Sequence, residues 1–394
     1  MKRKIIGILI VTLLITGIFT QVTAINVEKD DEKIEKPQSI EFWPSKRHGH
    51  AMVYNERVEK IILFGGDTED GCSDETWVYD YNNNKWTKKE THNSPPPRKY
   101  HSMVYLNDWG LVFMFGGQGN VGCYDDTWIY DFNTNSWNNI TNPSNPRPSP
   151  RQQTAMAYYD TYNVVILFGG REGNAHYDDT WEYSYSGNTW TIISPKGGVK
   201  PSARSGHAMA AGSSFFGALL YGGSSNIMKG ETWIYEPDEN HWIQKNPSIE
   251  PPKLTEHAMV YDSIVNKGII FGGFKPGSIS DETCAYDYIA NTWTLRGSGS
   301  SPSERKHTSM AYDSQNQKTI LFGGLGDGNK DDTWIYQYLT DDWNMKRPKA
   351  KDRPILIIQY LKMIMSSIEP IIDYFINQFP FFARLSKLIN NQHN

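Results

Sequence analysis

Apolar and polar residues alternate from Arg98 to Tyr105, then give way to an unbroken apolar run, Leu111 to Phe115, that stops at Gly116-Gly117. Alternation marks a strand with one buried face, and a short apolar run bounded by turn residues marks a strand buried on both. Asp126-Thr127-Trp128-Ile129-Tyr130 follows, with Trp128 and Tyr130 two apart and therefore on one side of an extended chain. A turn at Asn133-Thr134-Asn135 leads to Trp137, which opens a fourth strand. The segment predicts four short antiparallel strands.

The pattern recurs six times, with Gly-Gly pairs beginning at Gly65, Gly116, Gly169, Gly222, Gly272 and Gly323, 50 to 53 residues apart. A repeat Met precedes the first Gly by 13 residues in every copy, and the third-strand Trp position precedes a lone Trp by nine. One inserted residue would turn every later side chain to the opposite face, so these spacings must hold. The copies occupy about 45–92, 96–143, 149–195, 202–247, 252–297 and 303–346. A period near fifty is the mark of a radial β array.

Gly-Gly closing an apolar strand, then an aromatic pair and a spaced Trp, resembles the kelch repeat. The resemblance covers about residues 45–346. It implies an all-β fold: a six-bladed β-propeller of four-stranded antiparallel blades, placed here at 39–348. Some copies depart from the pattern. The fifth has Leu254 at the Arg position and Cys284 at the Trp position; the fourth has Tyr221 for Phe and Gly230 for the first Asp; Thr154 and Thr308 replace His in the third and sixth. Blades four and five are expected to be the least regular. Each copy supplies a whole blade, which leaves open how the ring closes.

A residue repeated around a ring is read as scaffold. The series Arg47, Arg98, Arg151, Arg204 and Arg305 recurs with Glu75, Asp126, Asp179, Glu231, Glu282 and Asp332, and predicts ion pairs within each repeat. His50, His101, His207 and His257 are spread over four copies and are read as core histidines; no metal and no cofactor is expected. The positions where the copies disagree carry the functional expectation. With strands a to d running outward from the axis, the d–a and b–c loops share one face. Its axial lining is expected from His48, Lys99, Tyr100, Gln152, Gln153, Glu256, Lys306 and His307, and its rim from Tyr124, Arg171, His176 and Tyr177. These amides, rings and charges of both signs suit a polar ligand, a glycan or a protein segment. The expected function is an interaction module without catalysis. Enzymes such as galactose oxidase and a sialic acid epimerase also resemble kelch propellers, and Glu256, Lys306 and His307 are the acid–base group an epimerase-like activity would need. A purely structural cell-surface component is a third reading.

The net charge of −5 comes without a basic stripe, so no nucleic-acid partner is expected. Lys2, Arg3 and Lys4, the apolar stretch Ile5 to Thr20 and Val22-Thr23-Ala24 read as an export signal over 1–24, giving a secreted or cell-surface protein. Residues 25–38 read as a charged flexible linker. Export makes Cys72 and Cys123, at equivalent points on neighbouring copies, a candidate disulfide. Asn139-Ile140-Thr141 is a glycosylation sequon. Residues 354–390 predict an amphipathic helical tail, divided at Pro370 and Pro380, that docks on the propeller, a partner or the membrane interface.

Overall fold

The computed structural model describes residues 43–212, 217–297 and 299–346. The expected export signal, the linker and the tail at 354–390 lie outside the described residues.

Six four-stranded antiparallel sheets form, each from one contiguous stretch of chain and each in the order a-b-c-d. In blade 1 the strands are Ala51–Asn55, Lys60–Phe64, Thr76–Asp80 and Lys85–Lys89. The a strands of successive blades touch one another, the sixth against the first, so they line the axis of a six-bladed propeller. The fixed spacings are registers. Met52 faces Leu63 across strands a and b, and Met310 faces Leu321 in the same way. The strand c Tyr always faces the lone Trp: Tyr79 with Trp86, Tyr130 with Trp137, and so on to Tyr336 with Trp343. Each of these Tyr hydroxyls donates to the Asn or Asp that closes the c–d turn, as Tyr79 does to Asn84 and Tyr336 to Asp341.

The core is divided into six apolar clusters, each shared by two neighbouring blades. Each lone Trp lies against the blade before it. Its indole N–H donates to the Thr Oγ1 that opens that blade's strand c, at 2.9–3.1 Å in all six blades. Pairing a buried donor in this way avoids a penalty of about 1–3 kcal/mol.

These contacts also close the ring. Trp86 of blade 1 donates to Thr333 of blade 6, as every other lone Trp does to its predecessor. Gly324 N–H donates to Arg47 O and Arg47 N–H to Lys330 O. Trp43 packs edge-on to Trp86 and donates to Asp331 O. Among the described residues no strand is exchanged, and the sixth interface repeats the other five.

Irregularity falls mainly on blade 4, whose strands a and b hold four residues each where the other blades have five. Blade 5 keeps full strands, Ala258–Asp262, Lys267–Phe271, Thr283–Asp287 and Thr292–Arg296, despite its two replacements.

Candidate functional site: the axial mouth

The three residues after each repeat Arg are positioned by that arginine. Arg47, Arg98, Arg151, Arg204 and Arg305 are fully buried. Each pairs with the acid of its own repeat at 2.5–2.6 Å. Each also donates Nη1 to the carbonyl of the first repeat Gly at 2.9–3.0 Å. In blades 1, 2, 3 and 6 the acid accepts the strand c indole N–H as well, as Asp126 does from Trp128, whereas in blade 4 the Trp233 indole N–H has no hydrogen-bond partner among the described residues. Blade 5 substitutes: Leu254 fills the arginine's place and Lys275 pairs with Glu282 at 2.7 Å. The second Gly then donates its N–H to the carbonyl of the next blade's Arg position at 2.8–2.9 Å in all six cases. A Cβ on Gly65 would lie 2.6 Å from Arg98 O, so only glycine lets the blades approach this closely.

The first residue after the arginine forms a β-bridge with the residue after Gly-Gly in every blade, from His48 with Asp67 to Lys306 with Leu325. This pairing puts the d–a and b–c loops on one face. The second residue is left-handed in all six blades: Gly49, Tyr100, Gln153, Gly206, Glu256 and His307, at φ 52 to 67°. Their peptides form a closed hydrogen-bonded circle around the axis. Gly49 N–H donates to His307 O (2.8 Å), Tyr100 to Gly49 (2.7 Å), Gln153 to Tyr100 (2.9 Å), Gly206 to Gln153 (3.0 Å), Glu256 to Gly206 (2.6 Å) and His307 to Glu256 (2.8 Å). Only two of the six are glycine. A side chain in this conformation costs about 1–2 kcal/mol, so Tyr100, Gln153, Glu256 and His307 are held against a local preference.

Those four side chains meet. Glu256 lies 3.0 Å from both Lys306 Nζ and His307 Nε2. Gln153 Nε2 donates to Glu256 Oε1 across the axis at 3.4 Å. Burial alone would raise the Glu256 carboxyl, but His307 and Lys306 outweigh it and hold it at about 2. The Tyr100 and His307 rings are 4.6 Å apart. His48 bonds Tyr100 OH (3.0 Å) and Asn329 Oδ1 (2.8 Å), and burial lowers its basicity despite the Asn329 bond. Lys99 pairs with Asp67 at 2.7 Å. Arg171 reaches in from the b–c loop of blade 3 and donates Nε to Gln153 Oε1 at 2.9 Å. Beneath this layer the third residues of the series, His50, His101, Thr154, His207, His257 and Thr308, help to line an axial cavity of about 130 Å³. Burial drops His101, His207 and His257 to about 3, and their rings pack edge-on to Phe64, Phe168 and Tyr221.

The structure therefore brings His48, Lys99, Tyr100, Gln153, Glu256, Lys306, His307 and Arg171 into one polar constellation. It uses the other expected residues differently. Tyr124 and Tyr177 stack on the guanidinium groups of Arg98 and Arg151, at 4.2 and 4.1 Å, as part of the scaffold. Gln152 is buried and its Oε1 has no hydrogen-bond partner among the described residues. His176 stays in its own hairpin, with Nδ1 3.2 Å from Asn174 O. Asp67 and Asn329 join the constellation through Lys99 and His48; the recurring bridge after Gly-Gly is the signal that places Asp67 there.

The expected Cys72–Cys123 disulfide is not formed: both thiols are free. Cys72 Sγ instead approaches Asp67 Oδ1 (3.9 Å) and, on blade 2, the backbone carbonyl of Gln118 (3.8 Å). Cys284 is a buried thiol, pushed by burial up to about 12. Asn139 is exposed at the end of strand d of blade 2, and its Oδ1 accepts the Thr141 N–H at 2.9 Å. A larger groove of about 550 Å³ lies on blade 1, lined by Lys46, Glu69, Asp70, Cys72 and Asp74 among others, and holds none of the axial residues.

Six wedge-packed blades joined by an arginine–acid–glycine belt define a kelch propeller, a class of protein-interaction module. The KLHDC2/KLHL20/DRC7 kelch-repeats domain matches residues 16–223, and the Attractin/LZTR1 β-propeller matches residues 165–356. The chain belongs to the kelch-repeat β-propeller family. It is 24% identical over 326 residues to the leucine-zipper-like transcriptional regulator 1 homolog of Drosophila melanogaster, covering 76% of this chain and 32% of that protein. It is 29% identical over 223 residues to kelch repeat-containing protein 2 of Saccharomyces cerevisiae, covering 51% of this chain and 24% of that one. Kelch domain-containing protein 2 of Bos taurus is 27% identical over 260 residues, covering 58% of this chain and 62% of that one. The chain thus spans a third or less of the fly and yeast relatives.

Proposed function

We propose that this propeller is an exported interaction module that holds a polar ligand, a segment of a protein or a glycan, at its axial mouth. One observation carries the reading: Tyr100, Gln153, Glu256 and His307 keep side chains at left-handed positions where the same ring tolerates Gly49 and Gly206. Strain retained at one spot, and directed at one shared polar surface, is a mark of a functional site. Interaction modules among the kelch relatives support the general class. Export rests on the pattern of residues 1–24, and the apolar segment at 354–390 would add a second attachment point.

A second reading has its own support. Glu256 orients His307 as a carboxylate orients a general base, which an acid–base enzyme acting on a small polar substrate would use. Glycan and peptide arrays probed with the mature chain, its start near Ile25 checked by N-terminal sequencing, separate the two. A bound ligand lost in the Tyr100→Ala/Arg171→Ala variant supports the module. Binding that is indifferent to both substitutions overturns it, and turnover lost in Glu256→Gln installs the enzyme.

A further inference from the structure

Two of the 13 tryptophans stand outside the repeat positions, Trp43 and Trp109. Trp43 seals blade 1 against blade 6. Trp109 has no such role: it sits in the a–b turn of blade 2, between strands Ser102–Leu106 and Leu111–Phe115, and 42% of it is exposed. This turn belongs to the face opposite the axial mouth. Among the described residues its one ring contact is with Tyr185 of blade 3, and with Tyr162 of that blade it leaves two large aromatic side chains partly exposed on the same face.

The turn is rigid. Arg57 of blade 1 donates to the carbonyls of Asn107 (3.3 Å), Asp108 (2.7 Å) and Trp109 (3.3 Å). Gly110 follows at φ 72°, and a Cβ there would lie 2.5 Å from Arg57 Nη1. The indole meets Tyr185 of blade 3 edge-to-face, with ring centroids 4.8 Å apart.

The position also breaks the repeat in an ordered way. Six residues after the repeat Met, the copies carry Val58, Trp109, Tyr162, Phe215, Val265 and Asn316. Three successive blades have an aromatic residue there and the other three do not. Tyr162 is 45% exposed, and Phe215 lies outside the described residues.

The charge around this pair is negative. Asp108 and Asp160 both act on the Tyr158 hydroxyl, and Asp131 acts on that of Tyr185. None of the three carboxylates has a Lys or Arg partner among the described residues, where pairs such as Lys60 with Asp80 and Lys267 with Asp287 occupy the corresponding region of other blades. Arg57, which reaches this turn from blade 1, is committed to backbone carbonyls. Asp160 and Asp131 accept hydrogen bonds from Thr161 and Asn133 in their own turns, which leaves their charge uncompensated. Aromatic faces rimmed by such carboxylates attract a cation, and a planar guanidinium stacks well on indole.

We propose that the a–b-turn face of blades 2 and 3 is a second docking surface, separate from the axial mouth, that takes an arginine-bearing segment of a partner protein. The propeller would then hold two ligands on opposite faces.

The test is calorimetric titration of the full chain at low ionic strength with a short acetylated and amidated arginine–glycine peptide. A serine–glycine peptide and a neutral oligosaccharide serve as comparison ligands. The arginine peptide is expected to bind. Trp109→Ala should weaken it roughly tenfold, Asp108→Asn/Asp160→Asn should weaken it and flatten its salt dependence, and Trp109→Phe should restore part of the loss. Arg171→Ala, at the axial mouth, should leave it unchanged, so failure here and failure of the axial reading are distinguishable. The proposal is overturned if the arginine peptide does not bind, if binding ignores Trp109, or if Trp109 instead recognises the oligosaccharide.

Discussion

Arg98 and Tyr100 are two residues apart, and a comparison of the two shows how this propeller divides its labour. Arg98 is fully buried, pairs with Asp126, braces Gly116, and has a counterpart in four other blades. Tyr100 is half-buried and left-handed, and its counterparts are Gly, Gln, Gly, Glu and His. At the belt every blade needs the same contact, so identity repeats and deviation demands a substitute. At the mouth the backbone repeats, through six hydrogen bonds between equivalent positions, while the side chains are free to differ. A fixed backbone circle under variable side chains is how a rigid scaffold presents a specific surface.

The belt half of the comparison breaks first. Arg204→Leu takes a buried guanidinium from the Gly222 carbonyl and from Glu231, a carboxylate about one-third exposed to water, and is expected to destabilise the propeller by about 2–3 kcal/mol. Blade 5 already contains the remedy, Leu254 with Lys275 against Glu282. Ser225 stands where Lys275 stands, so Arg204→Leu/Ser225→Lys should recover half of the loss or more in urea unfolding. If the double variant is no more stable than the single one, Lys275 is not the substitute for the missing arginine.

This compensation also shows what the sequence could and could not reveal. Repetition made the blades, their registers and the ion pairs legible, because each is a local constraint copied six times. The same logic should have assigned Tyr124 and Tyr177 to the scaffold: they occupy one repeat position, and each covers a belt arginine. The sequence leaves closure open because no single copy shows which contact joins the ends; Trp86 with Thr333 is a repeat contact that crosses from the first blade to the last. The left-handed circle left a trace in Gly49 and Gly206, which four larger residues obscure. The meeting of Glu256 with Gln153 across 103 positions is set by ring geometry alone, and no spacing encodes it.

Acid probes the mouth more selectively. Glu256 is held at about 2 in the folded chain, against about 4.3 when unfolded. Its ion pairs therefore stabilise the fold fully above about pH 4.3, and that contribution is lost as pH falls toward 2. The loss should reach about 2–3 kcal/mol between pH 5 and pH 2. Urea midpoints measured across this range should fall less steeply for Glu256→Gln than for the native chain. Equal slopes would mean that Lys306 and His307 do not hold this carboxylate in solution.

The smallest effect on stability carries the sharpest distinction. Gln153→Gly gives blade 3 the residue that blades 1 and 4 already have in the circle. It relieves about 1–2 kcal/mol of left-handed strain and gives back up to about 1 kcal/mol through the freer unfolded chain. It also removes one bond of 2.9 Å to Arg171 and two of 3.4 Å, to Glu256 and Ser205. These terms oppose one another, so thermal unfolding should move by no more than the equivalent of about 1 kcal/mol. Ligand binding at the mouth should weaken at least tenfold, because Arg171 loses the group that aims it. A stability loss approaching that of Arg204→Leu would instead make Gln153 a scaffold residue, and the difference between belt and mouth would disappear at the position where the two lie closest.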